Sequence, residues 1–122
     1  KLLDTYFKIC SIEVNCIDLA RIATIYAIGG ISPITKERYF SKEVCKIVRA
    51  TMALCGMYDE SGEVAITVGL PSKSGVGGGI LSVVPNKMDS GIIGPALNEK
   101  GTSIAGINIL NMLSEEYDLS IY

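Results

Sequence analysis

Between Gly56 and Ile80 the chain reads GMYDESGEVAITVGLPSKSGVGGGI, which sets Tyr58, Lys73 and three serines among seven glycines. A glycine costs a regular element about 0.5–1 kcal/mol relative to alanine, so this density implies a backbone that must approach something closely. Phosphate is the first candidate. A phosphate-binding loop, however, places its lysine after the glycines and opens a helix. Here Lys73-Ser74 precedes the run Gly75-Val76-Gly77-Gly78-Gly79, and an apolar, strand-like segment follows. A dinucleotide fingerprint fails for the same reason, since no helix follows. Two readings of the tripeptide Lys73-Ser74-Gly75 stay open. One is a plain glycine-rich hairpin. The other is an edge strand built for acyl transfer, in which the lysine raises the local positive potential and a small hydroxyl reaches a substrate carboxylate. The glycine then lets the strand lie beside a nucleophile whose developing oxyanion needs backbone N–H donors.

The rest of the composition narrows the chemistry further. The chain has no histidine, which removes the usual triad base, the commonest metal ligand and the side chain that titrates near neutrality. Its four cysteines, Cys10, Cys16, Cys45 and Cys55, form no C-x-x-C pair, so neither a zinc site nor a redox pair is expected. Each falls in an apolar, helical stretch and is expected to be a buried free thiol. No metal and no cofactor are expected. A net charge of −2, a pI near 5.1 and no Lys/Arg run argue against nucleic acid or an anionic membrane as partner. No apolar run approaches the ~20 residues of a membrane span, and no leader-like segment opens the chain. Free thiols without a leader fit a cytoplasmic location.

The elements that would position these residues follow from periodicity. Leu2 to Cys10 carries apolar residues with helical spacing. Asn15 and Asp18 offer cap chemistry for a helix over Ile17–Ile28, which Gly29-Gly30 ends. Ser41 opens a helix over Lys42–Leu54, and Gly56 ends it. The β-branched alternation of Glu63–Leu70 reads as a strand, GGGILSVVPNK as a second, and DSGIIGPAL as a third, interrupted at Gly94-Pro95. Helical spacing returns over Thr102–Leu113. The expected class is α+β, with a helical part over 1–56, then a three-stranded antiparallel meander and a terminal helix over 57–122. No linker or internal repeat divides the 122 residues, which suit one domain or part of one. The opening KLLDTYFKIC starts without Met, as though inside a helix, so the chain is expected to be part of a longer one.

Five strings then carry a resemblance: CSIEV at Cys10–Val14, GGISPIT at Gly29–Thr35, CGMYDESGE at Cys55–Glu63, VGLPSKSGVGGGI at Val68–Ile80 and PALNEKGTS at Pro95–Ser103. Collinear over most of the chain, they resemble the serine-dependent glutaminases, relatives of the β-lactamases and penicillin-binding proteins, where a K-T-G strand accompanies an S-x-x-K nucleophile. The resemblance implies a β-lactamase-like fold of which residues 1–122 form the C-terminal portion of one catalytic domain. It implies hydrolysis of L-glutamine to L-glutamate and ammonia through a serine acyl-enzyme, without a cofactor. The S-x-x-K motif itself is not in this sequence; the family carries it in the N-terminal half.

The resemblance also assigns residues. Tyr6 falls on a substrate-binding tyrosine, and Tyr58 on the tyrosine beside the nucleophile's hydroxyl, binding substrate and partnering proton transfer. Val76 falls on the valine whose backbone N–H meets the substrate and its oxyanion. Lys73 and Ser74 take supporting places in the K-[ST]-G element, Ser74 near the substrate. Lys36 stands where the family often has glycine, Asn15 where it has threonine, and Ser72 where alanine is common, adding a polar group close to the site. The implied partners are L-glutamine, the N-terminal half of the same chain and a second copy of the protein. Apolar surface is expected where that half belongs, and the chain alone is expected to be inactive. Two alternatives stand beside this reading: a non-catalytic interaction module on the same scaffold, and another serine amidase of the superfamily.

Overall fold

Strand positions on alternate faces of one short sheet are both apolar, and the architecture follows from covering both. The computed structural model describes all 122 residues. In chain order the elements are α1 (Leu2–Cys10), α2 (Cys16–Ala27), α3 (Lys42–Cys55), a 3-10 turn (Tyr58–Glu60), α4 (Ser61–Thr67), β1 (Ser72–Ser74), β2 (Gly79–Val84), β3 (Met88–Ile93) and α5 (Ile104–Tyr117). The sheet is antiparallel in the order β1-β2-β3, with Lys73 opposite Leu81 and Ser82 opposite Ser90.

Side chains alternate along a strand, so β2 feeds two separate cores. Ile80 and Val84 pack with Met57, Val64, Val68 and Leu110, from the segment around α4 and from α5. Leu81 and Val83 pack with Ala23 and Ala27 of α2 and Met52 of α3. The result is helix, sheet, helix, the α+β class expected. On the α2 side the fit is close: a Cβ on Gly91 would stand 2.3 Å from the Cys16 carbonyl oxygen and 2.4 Å from the Ala20 nitrogen.

The helix starts follow their capping residues. Asn15 accepts the Asp18 N–H at 3.0 Å while Asp18 accepts the Asn15 N–H at 3.2 Å, a complete capping box. The Ser41 hydroxyl accepts the Val44 N–H at 3.1 Å, and Ser103 accepts the Gly106 N–H at 3.1 Å. Lys36, at the position where the resemblance expects glycine, is left-handed with φ 63°.

Two expectations are corrected. Glu63–Leu70 is not a strand: Ser61–Thr67 forms helix α4, and the first strand is Ser72–Ser74. Its valines Val64 and Val68 are four residues apart and face the same core, so burial of a helical stripe overrides the β-branched composition. Gly69, left-handed at φ 70°, ends this helix with its N–H on the Val64 carbonyl at 3.0 Å. The cysteines are all free, as expected, but only Cys45 is buried; Cys10, Cys16 and Cys55 are exposed. Their helices turn those positions outward, and α1 buries none of its residues.

Leu2, Leu3, Tyr6 and Phe7 leave an uncovered apolar face on α1, and Leu54 and Ile66 are likewise exposed. No helix is long and apolar enough to cross a membrane. The thiol pattern makes a direct check. In the native chain, three thiols per molecule should react with a chromogenic disulfide reagent, and the fourth, Cys45, only after denaturant is added. A Cys45→Ala variant should lose that late phase and nothing else.

Candidate active site

The site begins where α3 ends. The Gly56 N–H bonds the Met52 carbonyl at 2.9 Å, and the Gly56 carbonyl accepts the Ser74 N–H at 3.1 Å. The end of α3 therefore lies flush against the free edge of β1. A Cβ on Gly56 would sit 1.9 Å from the Ser72 carbonyl oxygen, so only glycine permits this approach. Close approach, not conformation, is the reason, because Gly56 has an ordinary φ of −74°.

Two residues on, Tyr58 adopts φ 51°, a left-handed backbone that costs an L-residue about 1–2 kcal/mol. Strain of this kind concentrates at functional sites. The Tyr58 side chain is 49% exposed, and the Lys73 ammonium stands over its ring, 4.5 Å from the centroid. A cation on an aromatic face is attracted by the ring quadrupole. The same ammonium donates to the Ser74 carbonyl. Tyr58 and Lys73, fifteen positions apart in the chain, thus form one unit.

The hairpin between β1 and β2 is closed by Gly75 N–H to the Gly79 carbonyl and Gly78 N–H to the Gly75 carbonyl, both at 2.9 Å. Gly78 is left-handed at φ 85°, where a side chain would be strained. Between these bonds the Val76 N–H makes no hydrogen bond within the chain. A Cβ on Gly75 or Gly77 would meet nothing within 4 Å. The hairpin tip is thus open, with an unused backbone donor. Beneath it lies a cavity of about 640 Å³ lined by Ile12, Glu13, Val14, Leu19 and Lys73, among others.

Tyr6 reaches the neighbourhood from α1. Its phenol is raised above the ordinary 10.0, first by a hydrogen bond with Cys10, then by the Cys10 charge and slight desolvation, with Tyr58 adding to the shift.

The structure brings Tyr58 and Lys73 into contact, places Val76 at the hairpin tip that follows, and sets Tyr6 within electrostatic reach of Tyr58. It separates Ser74. Neighbouring strand residues face opposite ways: Lys73, opposite Leu81, faces α2, whereas Ser74, opposite Ile80, faces the other core. The Ser74 hydroxyl is 2% exposed and has no partner. The cavity contains Lys73 and Ser74 in its lining but not Tyr6, Tyr58 or Val76. Ser72 does not add a free polar group to the site as expected; its hydroxyl pairs with Ser82 Oγ at 2.7 Å and the Leu70 carbonyl at 3.0 Å. Motif reasoning passed over Ile12, Glu13 and Val14 as lining residues, although they lie inside the string CSIEV and its presence in a shared pattern was the available signal. No group of three His, Cys, Asp or Glu side chains is arranged to hold a metal.

Helices on both faces of an antiparallel sheet, with a Lys-Ser-Gly edge strand beside a strained tyrosine, define a chain of the α+β class. The chain belongs to the glutaminase family, which it matches over residues 1–122. It is 59% identical over 122 residues to a glutaminase of Clostridium tetani, covering 100% of this chain and 40% of that protein. Glutaminase 2 of Clostridium perfringens is 53% identical over 121 residues, covering 99% and 40%. Among solved structures, a probable glutaminase from Bacillus subtilis complexed with 6-diazo-5-oxo-L-norleucine superposes with a TM-score of 0.94 at 41% identity, over 98% of this chain and 42% of that one. A covalent complex of a Bacillus subtilis glutaminase with 5-oxo-L-norleucine matches equally, with a TM-score of 0.94. The chain spans about two fifths of the length of these relatives.

Two measurements test the geometry. Gly56→Ala should lower the unfolding free energy by about 1–3 kcal/mol through overpacking against β1. Gly62→Ala, where a Cβ meets nothing within 4 Å, should leave it unchanged or slightly raised. In a spectrophotometric pH titration, one tyrosine should hold its proton above pH 10.0, and Cys10→Ala should return that tyrosine toward the ordinary value.

Proposed function

We propose that this chain supplies one side of the active site of a glutaminase that hydrolyses L-glutamine to L-glutamate and ammonia through a serine acyl-enzyme. Residues 1–122 are, in this reading, the C-terminal portion of one catalytic domain. The rest of the domain carries the serine and its lysine base, and it packs on the uncovered apolar face of α1. The observation that carries the reading is the Lys73 ammonium seated on the Tyr58 ring beside an open hairpin with an unused Val76 N–H, in a chain of this family.

The chemistry follows from those groups. The serine oxygen attacks the side-chain amide carbon of glutamine, and the negative charge that develops on the carbonyl oxygen is met by the Val76 N–H. A backbone donor aimed at such an oxyanion lowers the barrier by roughly 2.7–4 kcal/mol. Collapse breaks the carbon–nitrogen bond, and ammonia leaves with a proton relayed by Tyr58. Water then cleaves the glutamyl ester along the reverse proton path. Lys73 supports Tyr58 by seating its ammonium on the ring face, which holds the ring in place beside the hairpin. Tyr6, on α1, makes a substrate contact in this reading. Ser74 contributes through its backbone rather than its buried hydroxyl. The solved relative that carries 5-oxo-L-norleucine covalently supports a covalent route of this kind for the present chain.

The test compares two proteins. The 122-residue chain alone should release no ammonia from glutamine, while the full-length parent chain should release it readily. In the parent, Tyr58→Phe should lower kcat about 10²–10⁴-fold, the range of a lost proton-transfer group. Ammonia release by the 122-residue chain that Tyr58→Phe abolishes would overturn the division of the site between the two portions.

A further inference from the structure

A tyrosine in the left-handed region persists only where its surroundings over-determine it; at Tyr58 the Ser61 backbone N–H bonds the tyrosine carbonyl, and the Ser61 side chain adds two further bonds. Ser61 is 7% exposed. Its Oγ accepts the Met57 N–H at 3.0 Å and donates to the Tyr58 carbonyl at 2.8 Å. A hydroxyl has one donor and two acceptor sites, so both bonds are made at once. They grip the chain on either side of the Tyr58 φ torsion. The Tyr58 side chain supplies no comparable anchor, because its ring is half exposed and packs under the Lys73 ammonium alone. Glu60 is also pinned, its Oε1 accepting from Asn98 Nδ2 at 2.6 Å, but this bond ties the 3-10 turn to the loop before α5 and leaves the Tyr58 backbone untouched.

The geometry points to Ser61 as a positioning residue for Tyr58: by bridging the Met57 N–H and the Tyr58 carbonyl, it holds the tyrosine left-handed and keeps its ring under Lys73. The inference rests on the proton-transfer role proposed for Tyr58. Without the Ser61 oxygen, the Met57 N–H loses its partner and the Tyr58 carbonyl keeps only the Ser61 backbone N–H, so the left-handed turn loosens and the ring is held less firmly under the ammonium. Substrate contacts made by Tyr6 and Val76 are unaffected, so the loss falls on turnover rather than on binding.

The experiment uses the full-length parent chain with Ser61→Ala, Ser61→Thr, Tyr58→Phe and the Ser61→Ala/Tyr58→Phe double variant, assayed below the unfolding temperature of the least stable one. Ser61→Ala should lower kcat about tenfold, equal to about 1.4 kcal/mol, with KM within twofold. Ser61→Thr, which keeps the oxygen, should recover most of that loss. In the Tyr58→Phe background, Ser61→Ala should cost nothing further, because the aim of a ring without a hydroxyl no longer matters. An unchanged kcat in Ser61→Ala overturns the inference, as does the same tenfold loss in both backgrounds, the mark of a merely structural role. A folded Ser61→Thr as slow as Ser61→Ala overturns it too. Full activity in Tyr58→Phe sinks the proton-transfer reading itself, and the positioning role with it, whatever Ser61→Ala does.

Discussion

The contact on which the rest of the site depends is between two backbones, where the last turn of α3 meets the free edge of β1. Gly56 gives its carbonyl to the Ser74 N–H at 3.1 Å and leaves no room for a methyl against the Ser72 carbonyl. A backbone hydrogen bond at a sheet edge is directional, so it sets the offset of α3 along the strand as well as its distance. That offset decides where Met57 and Tyr58 emerge. Met57 turns into the core with Val64, Ile80 and Leu110, and Tyr58 is left on the outer side beside Lys73. One glycine thus converts a helix end into a fixed mount for the Tyr58 side chain.

The second constraint is the two-fold alternation of β1 and its partner. With Lys73 opposite Leu81 and Ser74 opposite Ile80, consecutive residues of one motif are delivered to different layers. Lys73 reaches toward the α2 side, where Ile12–Val14 and Leu19 border the cavity. The Ser74 side chain is enclosed in the opposite layer. The two layers have different characters as a consequence. The layer of α4 and α5 is a continuous apolar core around Leu110, while the α2 and α3 layer is smaller and opens toward the exposed faces of α1 and the hairpin tip. Rigidity lies on one side of the sheet and accessibility on the other, the arrangement a site needs when its reacting groups must be held still and still be reached.

Much of this was legible in particular residues. The capping box of Asn15 and Asp18, the Ser41 cap and the Gly56 stop mark the ends of α2 and α3 within a residue or two of where they fall, because caps act locally on orphan backbone groups. The stretch from Glu63 to Leu70 reads as a strand in the sequence because Val64, Ile66, Thr67 and Val68 satisfy a β-type composition as well as a helical stripe. In a strand Ile66 would share the face of Val64 and Val68; it is exposed while they are buried in the core with β2 and α5, which a helical turn explains and a period of two does not. The exposure of Cys10, Cys16 and Cys55 has a related cause: helical context says nothing about which face is covered.

By itself the sequence determined the class, the places of α1, α2, α3 and α5, and the family, since these rest on local capping, periodicity and a collinear set of strings. It also pointed to Tyr6, Tyr58, Lys73, Ser74 and Val76 as one group. Only the tertiary structure decided how they divide: Lys73 on the Tyr58 ring, Val76 with an unused N–H at an open tip, Ser74 turned into the core, and Ser61 gripping the backbone of Tyr58. Those relations are set by strand register and by close backbone approach at Gly56 and Gly91. Such long-range packing leaves a single glycine in the sequence as its only trace, and a glycine does not say what it lies against.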